Sequence, residues 1–223
     1  MLYAEEAVKA NIRNRDGKRV FFLGAGDTLT PSARDWLQRE RIEILPAQQA
    51  KISEFYLENG AIFRKKPEHY THLRGNILVP KTHPVIAFRG AVDTLQAQLL
   101  LAQAAVPKAM QPKVGEVLTL ARNLIRWDVM EEPVAFPSLL GLTSEQLREH
   151  SHFPQKYYGT PHFMPEHNDG PAILQLNLAR CTARAAELAA QQAFGETRPD
   201  LLQAVNRLSS AIYILMLQLK QPY

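Results

Sequence analysis

Residues 177–192 read NLARCTARAAELAAQQ, and after a short break residues 198–219 read RPDLLQAVNRLSSAIYILMLQL. The first run places Arg180, Arg184, Glu187 and Gln191 at steps of four, three and four, which keeps all four on one face of an α-helix. The second run opens with Pro199 and Asp200, favoured in a first helical turn, with Thr197 as a candidate cap. Its Leu201, Leu202, Val205, Leu208, Ile212 and Leu215 form an apolar stripe, and Asn206, Ser210 and Tyr213 form a polar seam beside it. A break this short predicts two antiparallel helices whose polar seams can face each other. A row of Arg and Glu is commonly a solvated face held by i,i+3 and i,i+4 pairs. Against that reading, apolar residues spread nearly all round the helix from Ala179 to Ala193, as in a buried helix, where arginines need anionic partners.

Working outward, 223 residues are enough to bury a real core in one or two domains. A content of 46% hydrophobic and 22% charged residues is that of a globular soluble protein. No apolar run is expected to reach the length of a membrane span, and MLYAEEAVKA lacks a basic-then-apolar signal pattern. One cysteine, Cys181, rules out internal disulfides and a multi-cysteine metal site, and suits the cytoplasm. The formal charge of +4 favours anionic ligands such as nucleotides. Basic residues are dispersed without aromatic interleaving, so no nucleic-acid face is expected.

The N-terminal part reads as a small α/β unit. Residues 3–15 suggest a short amphipathic helix, DGKR a turn, and VFFLG a strand entering a GAGD loop. That loop is a weak nucleotide signal, since a glycine pair after a strand is usually only a turn. Thr30 and Pro31 then open the helix TPSARDWLQRE, and RIEIL is another strand. Asn59-Gly60 within FYLENGAIFRKK marks a hairpin. The segment from Pro67 to Pro84 reads as irregular and carries His69, His72 and His83, which lack a second ligand type at fixed spacing and are expected to bind no metal. A helix follows from about residue 84, with Asp93, Gln96 and Gln103 on one seam of a Leu/Ala-rich rod. Asp93 reads either as a first-turn residue compensating the helix dipole or as the partner of an arginine on the later helix. Residues 113–130 form the next helix. PSLLGLTSEQLREHSHF holds a short one, capped by Thr143 or Ser144 with Glu145 or Gln146 in its first turn. Phe163, in the loop HFMPEHNDGP, is either a plug at the end of the core or a ligand contact.

These segments carry a family resemblance. ARCTARAAE resembles the arginine helix of the ATP:corrinoid adenosyltransferases of the propanediol-utilisation type, which have a run close to ARTVCRRAER, and AVNRLSSAIYIL is similar to their LNRLSDxLF helix. KTHPVIAFRGAVDTLQA is similar to their K-x-DPR-V-x-AYG-x-VDELNS segment, with Lys81, Pro84, Gly90, Val92, Asp93 and Leu95 in register. Here His83 replaces the Asp before Pro, and TLQA replaces ELNS. HFMPEHNDGP resembles the FVLPGG loop, matching at Phe163 and Pro165, with Glu166-His167 in place of the glycine pair. TPSAR followed by a strand is similar to the ethanolamine-utilisation members. The resemblance covers residues 81–219, and 1–50 more loosely. Two family features are missing: the TKTGDxG phosphate loop, where this chain offers only YTHLRGN, and the cysteine cluster that binds metal in some ethanolamine-type enzymes.

The resulting expectation is a mainly α protein. A four- to five-helix bundle of the cobalamin adenosyltransferase type fills residues 81–223, preceded by a small α/β module at 1–80. The resemblance implies an ATP:cob(I)alamin adenosyltransferase that makes adenosylcobalamin and triphosphate for ethanolamine utilisation. The substrates are ATP and cobalamin, with Mg2+ accompanying the triphosphate. Arg180, Arg184 and Lys81 are the candidates for the phosphates, arginine's planar fork suiting phosphate oxygens. Glu187 and Asn206 are the candidates for the nucleoside. Phe163 is implied to fill the lower face of the corrin. Asp93 is assigned to the corrinoid side and to an ion pair with Arg180 or Arg184 of a neighbouring chain in a trimer or dimer. Arg184, Arg180 and Asp93 are thus the catalytic candidates. A reductase and microcompartment proteins are the other expected partners, and the cytoplasm or a bacterial microcompartment the expected location. The alternatives are a non-enzymatic module that holds and delivers adenosylcobalamin, and a helical interaction protein.

Overall fold

A computed structural model describes residues 1–50, 54–136 and 138–220. The chain forms two compact units, Met1–His83 and Pro84–Tyr223.

The first unit contains β1 (Leu2–Tyr3), α1 (Glu5–Ala10), β2 (Arg13–Arg15), β3 (Lys18–Leu23), β4 (Thr28–Leu29), α2 (Pro31–Arg39), β5 (Glu43–Pro46), β6 (Phe55–Leu57), β7 (Ile62–Phe63), β8 (Tyr70–Arg74) and β9 (Ile77–Pro80). β3 and β5 pair in parallel across α2, the crossover expected from the sequence. The Thr30 hydroxyl accepts the Ala33 N–H at 3.3 Å and Pro31 opens α2, as a capped helix start requires. Val8, Phe21, Ala33, Trp36, Leu37 and Ile42 form the core of this layer. The Asn59-Gly60 hairpin joins β6 to β7, with Gly60 at φ 84°.

Two readings of this region need correction. Residues 3–15 are not one helix: α1 stops at Ala10, and Arg13–Arg15 pairs antiparallel with β3 around Asp16-Gly17. Asp16 and Gly17 both take positive φ, 51° and 74°, so the turn chemistry pulls the flanking residues into a hairpin. Nor is the stretch from Pro67 to Pro84 irregular. β8 and β9 form a second hairpin around Gly75-Asn76 in a sheet of order β7-β6-β9-β8. A Cβ on Gly75 would lie 2.6 Å from the Ile12 carbonyl oxygen, so only glycine allows this approach. Buried Asn76 then crosses between sheets. Its Oδ1 accepts from Asn14 N–H at 2.6 Å, and its Nδ2 donates to the carbonyls of Asn14 at 2.8 Å and Glu54 at 3.2 Å.

The second unit is a bundle of α3 (Pro84–Ala105), α4 (Gln111–Val129), α7 (Gly170–Phe194) and α8 (Pro199–Lys220). The short helices α5 (Ser144–His152) and α6 (Pro154–Tyr158) accompany it. α3 buries Val85, Phe88, Val92, Leu95, Leu99 and Ala102, the alternating steps of three and four of a helix seam. By length and hydropathy α3 is long and apolar enough to cross a membrane, contrary to the sequence expectation, and its Phe88, Val92, Leu95, Leu99 and Ala102 lie in the bundle core. α7 buries the small residues Ala179, Ala183, Ala186 and Ala190, and its pairing with α3 is the most extensive in the bundle. Phe88 meets Phe194 edge-on at 5.2 Å, so the start of α3 lies against the end of α7. α7 is not buried all round: Leu174, Leu178, Cys181 and Leu188 are exposed on its outer side.

Local caps account for the short elements. α5 begins with a reciprocal box in which Gln146 N–H donates to the Thr143 hydroxyl at 3.3 Å and Thr143 N–H donates to the Gln146 side-chain Oε1 at 2.9 Å. Thr197 does not cap α8. Its hydroxyl donates back to the Phe194 carbonyl at 2.6 Å, closing α7 instead. At the start of α8, Arg198 grips Asp200 with Nε on Oδ1 at 3.0 Å and Nη2 on Oδ2 at 3.1 Å, and Val134 N–H donates to Oδ2 at 2.9 Å.

This clasp has a pH signature. The Arg198 hydrogen bonds hold the Asp200 carboxyl down at about 2 from an ordinary value of 3.8, against the opposing effect of burial. A depressed folded-state value stabilises the protein above pH 4 and is lost as pH falls through 2. After discounting for its partial exposure, the carboxylate contributes roughly 1 kcal/mol near neutrality. Asp200→Asn should therefore lower the urea midpoint at pH 6, and the gap to the parent should narrow steadily between pH 4 and pH 2. A gap independent of pH would show that the clasp does not depend on the charge.

Candidate active site

The site is built on the facing sides of α7 and α8. The Asn206 amide Nδ2 donates to Glu187 Oε1, and the Arg180 guanidinium carbon lies 5.9 Å from the centre of the Tyr213 ring. Moving up α7 from Arg180 to Glu187 moves down α8 from Tyr213 to Asn206, which is the antiparallel pairing of polar seams expected from the spacing. Arg180 is half-buried and is further held by Asn177, whose Oδ1 accepts from Nη2 at 3.0 Å and from Nε at 3.3 Å. Arg184, one turn on, is exposed and has no hydrogen bond or ion pair among the described residues. One arginine is pre-set against an aromatic ring, and the other is open to a ligand.

Sequence reasoning passed over Arg207. Only 9% exposed, it sits on the core side of α8, donating from Nη1 to Asn206 Oδ1 at 2.6 Å and from Nε to the Ser144 hydroxyl at 3.0 Å. Burial pulls the guanidinium below its ordinary value and nearby Arg148 adds to this, while Glu145 and Glu187 oppose it. The contact fixes the Asn206 amide: its oxygen is committed to Arg207, so its NH2 faces Glu187. The signal was in the sequence, for Arg207 lies three residues after buried Ala204 and four before buried Ala211. A cation at a core-stripe position calls for buried partners.

The loop before α7 docks on the C-terminal half of α8. Phe163 packs on the bundle core, its N–H donates to Tyr213 Oη at 3.2 Å, and its ring lies 6.0 Å from that of Tyr213. The ammonium of Lys220 lies 5.3 Å from the centre of the Phe163 ring and forms an ion pair with Asp169.

The other candidates belong to other elements. Asp93 is the tenth residue of α3, not part of its first turn, so dipole compensation does not apply. It is exposed, with no partner among the described residues. Lys81 belongs to the first unit, where its ammonium meets Glu68 at 3.2 Å. The three histidines of that unit do not converge. His83 faces Glu58 at 3.5 Å, His69 lies against Tyr70 and His72 against Phe55. Among the described residues no three His, Cys, Asp or Glu side chains gather as a metal cluster.

Chemically, the seam sets two cations beside a carboxylate–amide pair. It suits a polyanion that also carries hydroxyl groups.

The cobalamin adenosyltransferase family model matches residues 61–219. The corrinoid adenosyltransferase EutT of Salmonella typhimurium is 37% identical over 241 residues, which takes in 96% of this chain and 90% of that protein. EutT of Escherichia coli K12 is 30% identical over 250 residues, with the same coverage. No solved structure matches significantly. By the extent of both matches, the chain belongs to the cobalamin adenosyltransferase family.

Proposed function

We propose that this protein transfers the adenosyl group of ATP to cob(I)alamin and serves ethanolamine utilisation. The observation that carries the reading is the arginine seam of α7 beside the Glu187–Asn206 pair, in a chain related along nearly its whole length to corrinoid adenosyltransferases. In the reaction the lone pair of Co(I) attacks C5′ of the ribose. The C5′–O bond breaks, its electron pair leaves on triphosphate, and cobalt becomes formally Co(III). Cobalt is itself the nucleophile, so no side chain acts as general base. The protein's work is to hold two substrates in line and to stabilise the charge that develops on the leaving group.

Arg184 and Arg180 take the triphosphate. Asn206 offers its amide N–H and Glu187 its remaining carboxylate oxygen to the nucleoside. Mg2+ arrives with the triphosphate, held mainly by phosphate oxygens and water, a role that asks for no all-protein cage. Phe163 lies against the lower face of the corrin, where it displaces the axial base and eases reduction of Co(II). Asp93 pairs with Arg180 or Arg184 of a second copy of the chain, so the complete site lies between subunits. Location in the cytoplasm or a microcompartment, and a reductase partner, follow from the same reading.

Incubation with ATP and chemically reduced cobalamin tests the function directly. The absorption spectrum should change as the Co–C bond forms, and should not change without ATP. Binding of adenosylcobalamin with no conversion would favour a delivery module instead.

The Phe163 assignment has its own test. Phe163→Ala should slow adenosylation of cob(II)alamin, supplied with a biological reductant, by about tenfold or more, equivalent to roughly 1.4 kcal/mol or more. The loss should be distinctly smaller when cob(I)alamin is supplied directly. Equal losses in both assays would return Phe163 to a purely packing role.

A further inference from the structure

Tyr213 stands where the nucleotide seam and the Phe163 loop meet. Its ring lies near the Arg180 guanidinium, 5.9 Å from centroid to carbon, and nearly parallel to His162 at 5.8 Å and 12°. Its hydroxyl is engaged by two consecutive loop residues. The Phe163 N–H donates to it at 3.2 Å, and His162 Nδ1 lies 3.2 Å away.

The direction of the second bond follows from the far side of the imidazole. His162 Nε2 is 3.1 Å from the His152 carbonyl oxygen, which can only accept. Nε2 therefore carries the proton, and in the neutral ring Nδ1 is an acceptor. The Tyr213 O–H donates to Nδ1 while its lone pair receives the Phe163 N–H. The result is a directed chain from Phe163 N–H through the Tyr213 hydroxyl and the His162 ring to the His152 carbonyl.

The other end of the loop is tied to the same face of α8. Lys220 lies seven residues after Tyr213, two helical turns along. Its ammonium pairs with Asp169, whose Oδ2 also accepts the Glu166 N–H at 2.8 Å. The Phe163 ring thus lies near the Tyr213 ring and near the Lys220 ammonium, while its neighbour Met164 is 88% exposed.

We infer that the Tyr213 hydroxyl is a positioning group that fixes the backbone of Phe163, and so aims the Phe163 ring at the corrin's lower face. The inference rests on the reading that Phe163 meets the corrin. The hydroxyl acts on reduction of Co(II), through Phe163, and not on transfer of the adenosyl group.

Tyr213→Phe tests it, because it keeps the ring beside Arg180 and His162 and removes only the oxygen. With cob(II)alamin, ATP and a reductant, turnover should fall about five- to tenfold, the worth of one lost hydrogen bond. With cob(I)alamin supplied directly, turnover and the KM for ATP should change by less than about twofold. The electron paramagnetic resonance signal of the enzyme–ATP–cob(II)alamin complex should show a smaller fraction of corrinoid freed of its axial base. In a Phe163→Ala background, Tyr213→Phe should add nothing. His162→Phe, which removes the acceptor without touching α8, should reproduce a milder form of the loss and serves if Tyr213→Phe folds poorly. Parent-like Tyr213→Phe beside an impaired Phe163→Ala would overturn the inference and leave the Phe163 assignment standing. An unimpaired Phe163→Ala would remove both. Equal losses with either corrinoid, or a further loss on top of Phe163→Ala, would place the hydroxyl's effect outside the loop and overturn the inference.

Discussion

Arg184→Ala is expected to lower turnover at saturating cobalamin by about two orders of magnitude, close to 2.7 kcal/mol of transition-state stabilisation. The residue is exposed on α7 and has no partner among the described residues, so its guanidinium costs the fold nothing to redirect. Its neighbour on the seam differs: Arg180 already contacts Asn177 and the Tyr213 ring. A guanidinium meeting a departing triphosphate makes charge-assisted, often bidentate bonds that strengthen as negative charge collects on the leaving oxygen. Binding that grows along the reaction appears in kcat, whereas uniform binding appears only in KM. The fold of the single chain should be less affected than activity, since within its own chain an exposed Arg→Ala change on a helix lies within about 0.5 kcal/mol of neutral. If Arg180→Ala and Arg184→Ala both keep near-full turnover, the seam is a solvated face and has no part in catalysis.

Asp93→Asn carries the second large effect, on assembly. Asp93 is exposed on α3 and has no partner within its own chain among the described residues. A carboxylate of that kind left in water contributes about 0–1 kcal/mol, and its amide would be silent. Placed against Arg180 or Arg184 of a second subunit and desolvated there, the same carboxylate is worth about 3–5 kcal/mol when the pair is broken from one side. That range would raise the dissociation constant of the oligomer by at least about a hundredfold. Sedimentation velocity across a concentration series should show the parent assembled and the variant shifted towards monomer, with weakened cobalamin binding alongside. Exchanging the charges of Asp93 and its arginine should restore part of the assembly. A fully active monomer, or an oligomer in which Asp93 faces solvent, would contradict the shared site.

How far the sequence could be read depended on whether a residue's neighbours were local. The α5 cap was legible because Thr143 and Gln146 satisfy each other within one turn. The β3–α2–β5 crossover was legible from two short apolar runs flanking a helix opened by Thr30-Pro31. The α7–α8 seam followed from helical spacing and a short break. The β8–β9 hairpin escaped because its Gly75-Asn76 turn is stabilised from afar, by the close approach to Ile12 and the bonds from Asn76 to Asn14 and Glu54. Arg207 was legible as a cation on the core stripe, but its partner was not, since Ser144 lies on another helix. Thr197, placed where a cap belongs, chose the nearer carbonyl of Phe194.

The central claim is that triphosphate leaves in one piece, stabilised by the arginines of α7. Phosphorus NMR of a single-turnover reaction with ATP and cob(I)alamin tests it most directly. The account predicts one equivalent of triphosphate for each adenosylcobalamin formed, with both products falling together in Arg184→Ala. Diphosphate and phosphate in its place as primary products, or triphosphate yields untouched by loss of both Arg180 and Arg184, would contradict it.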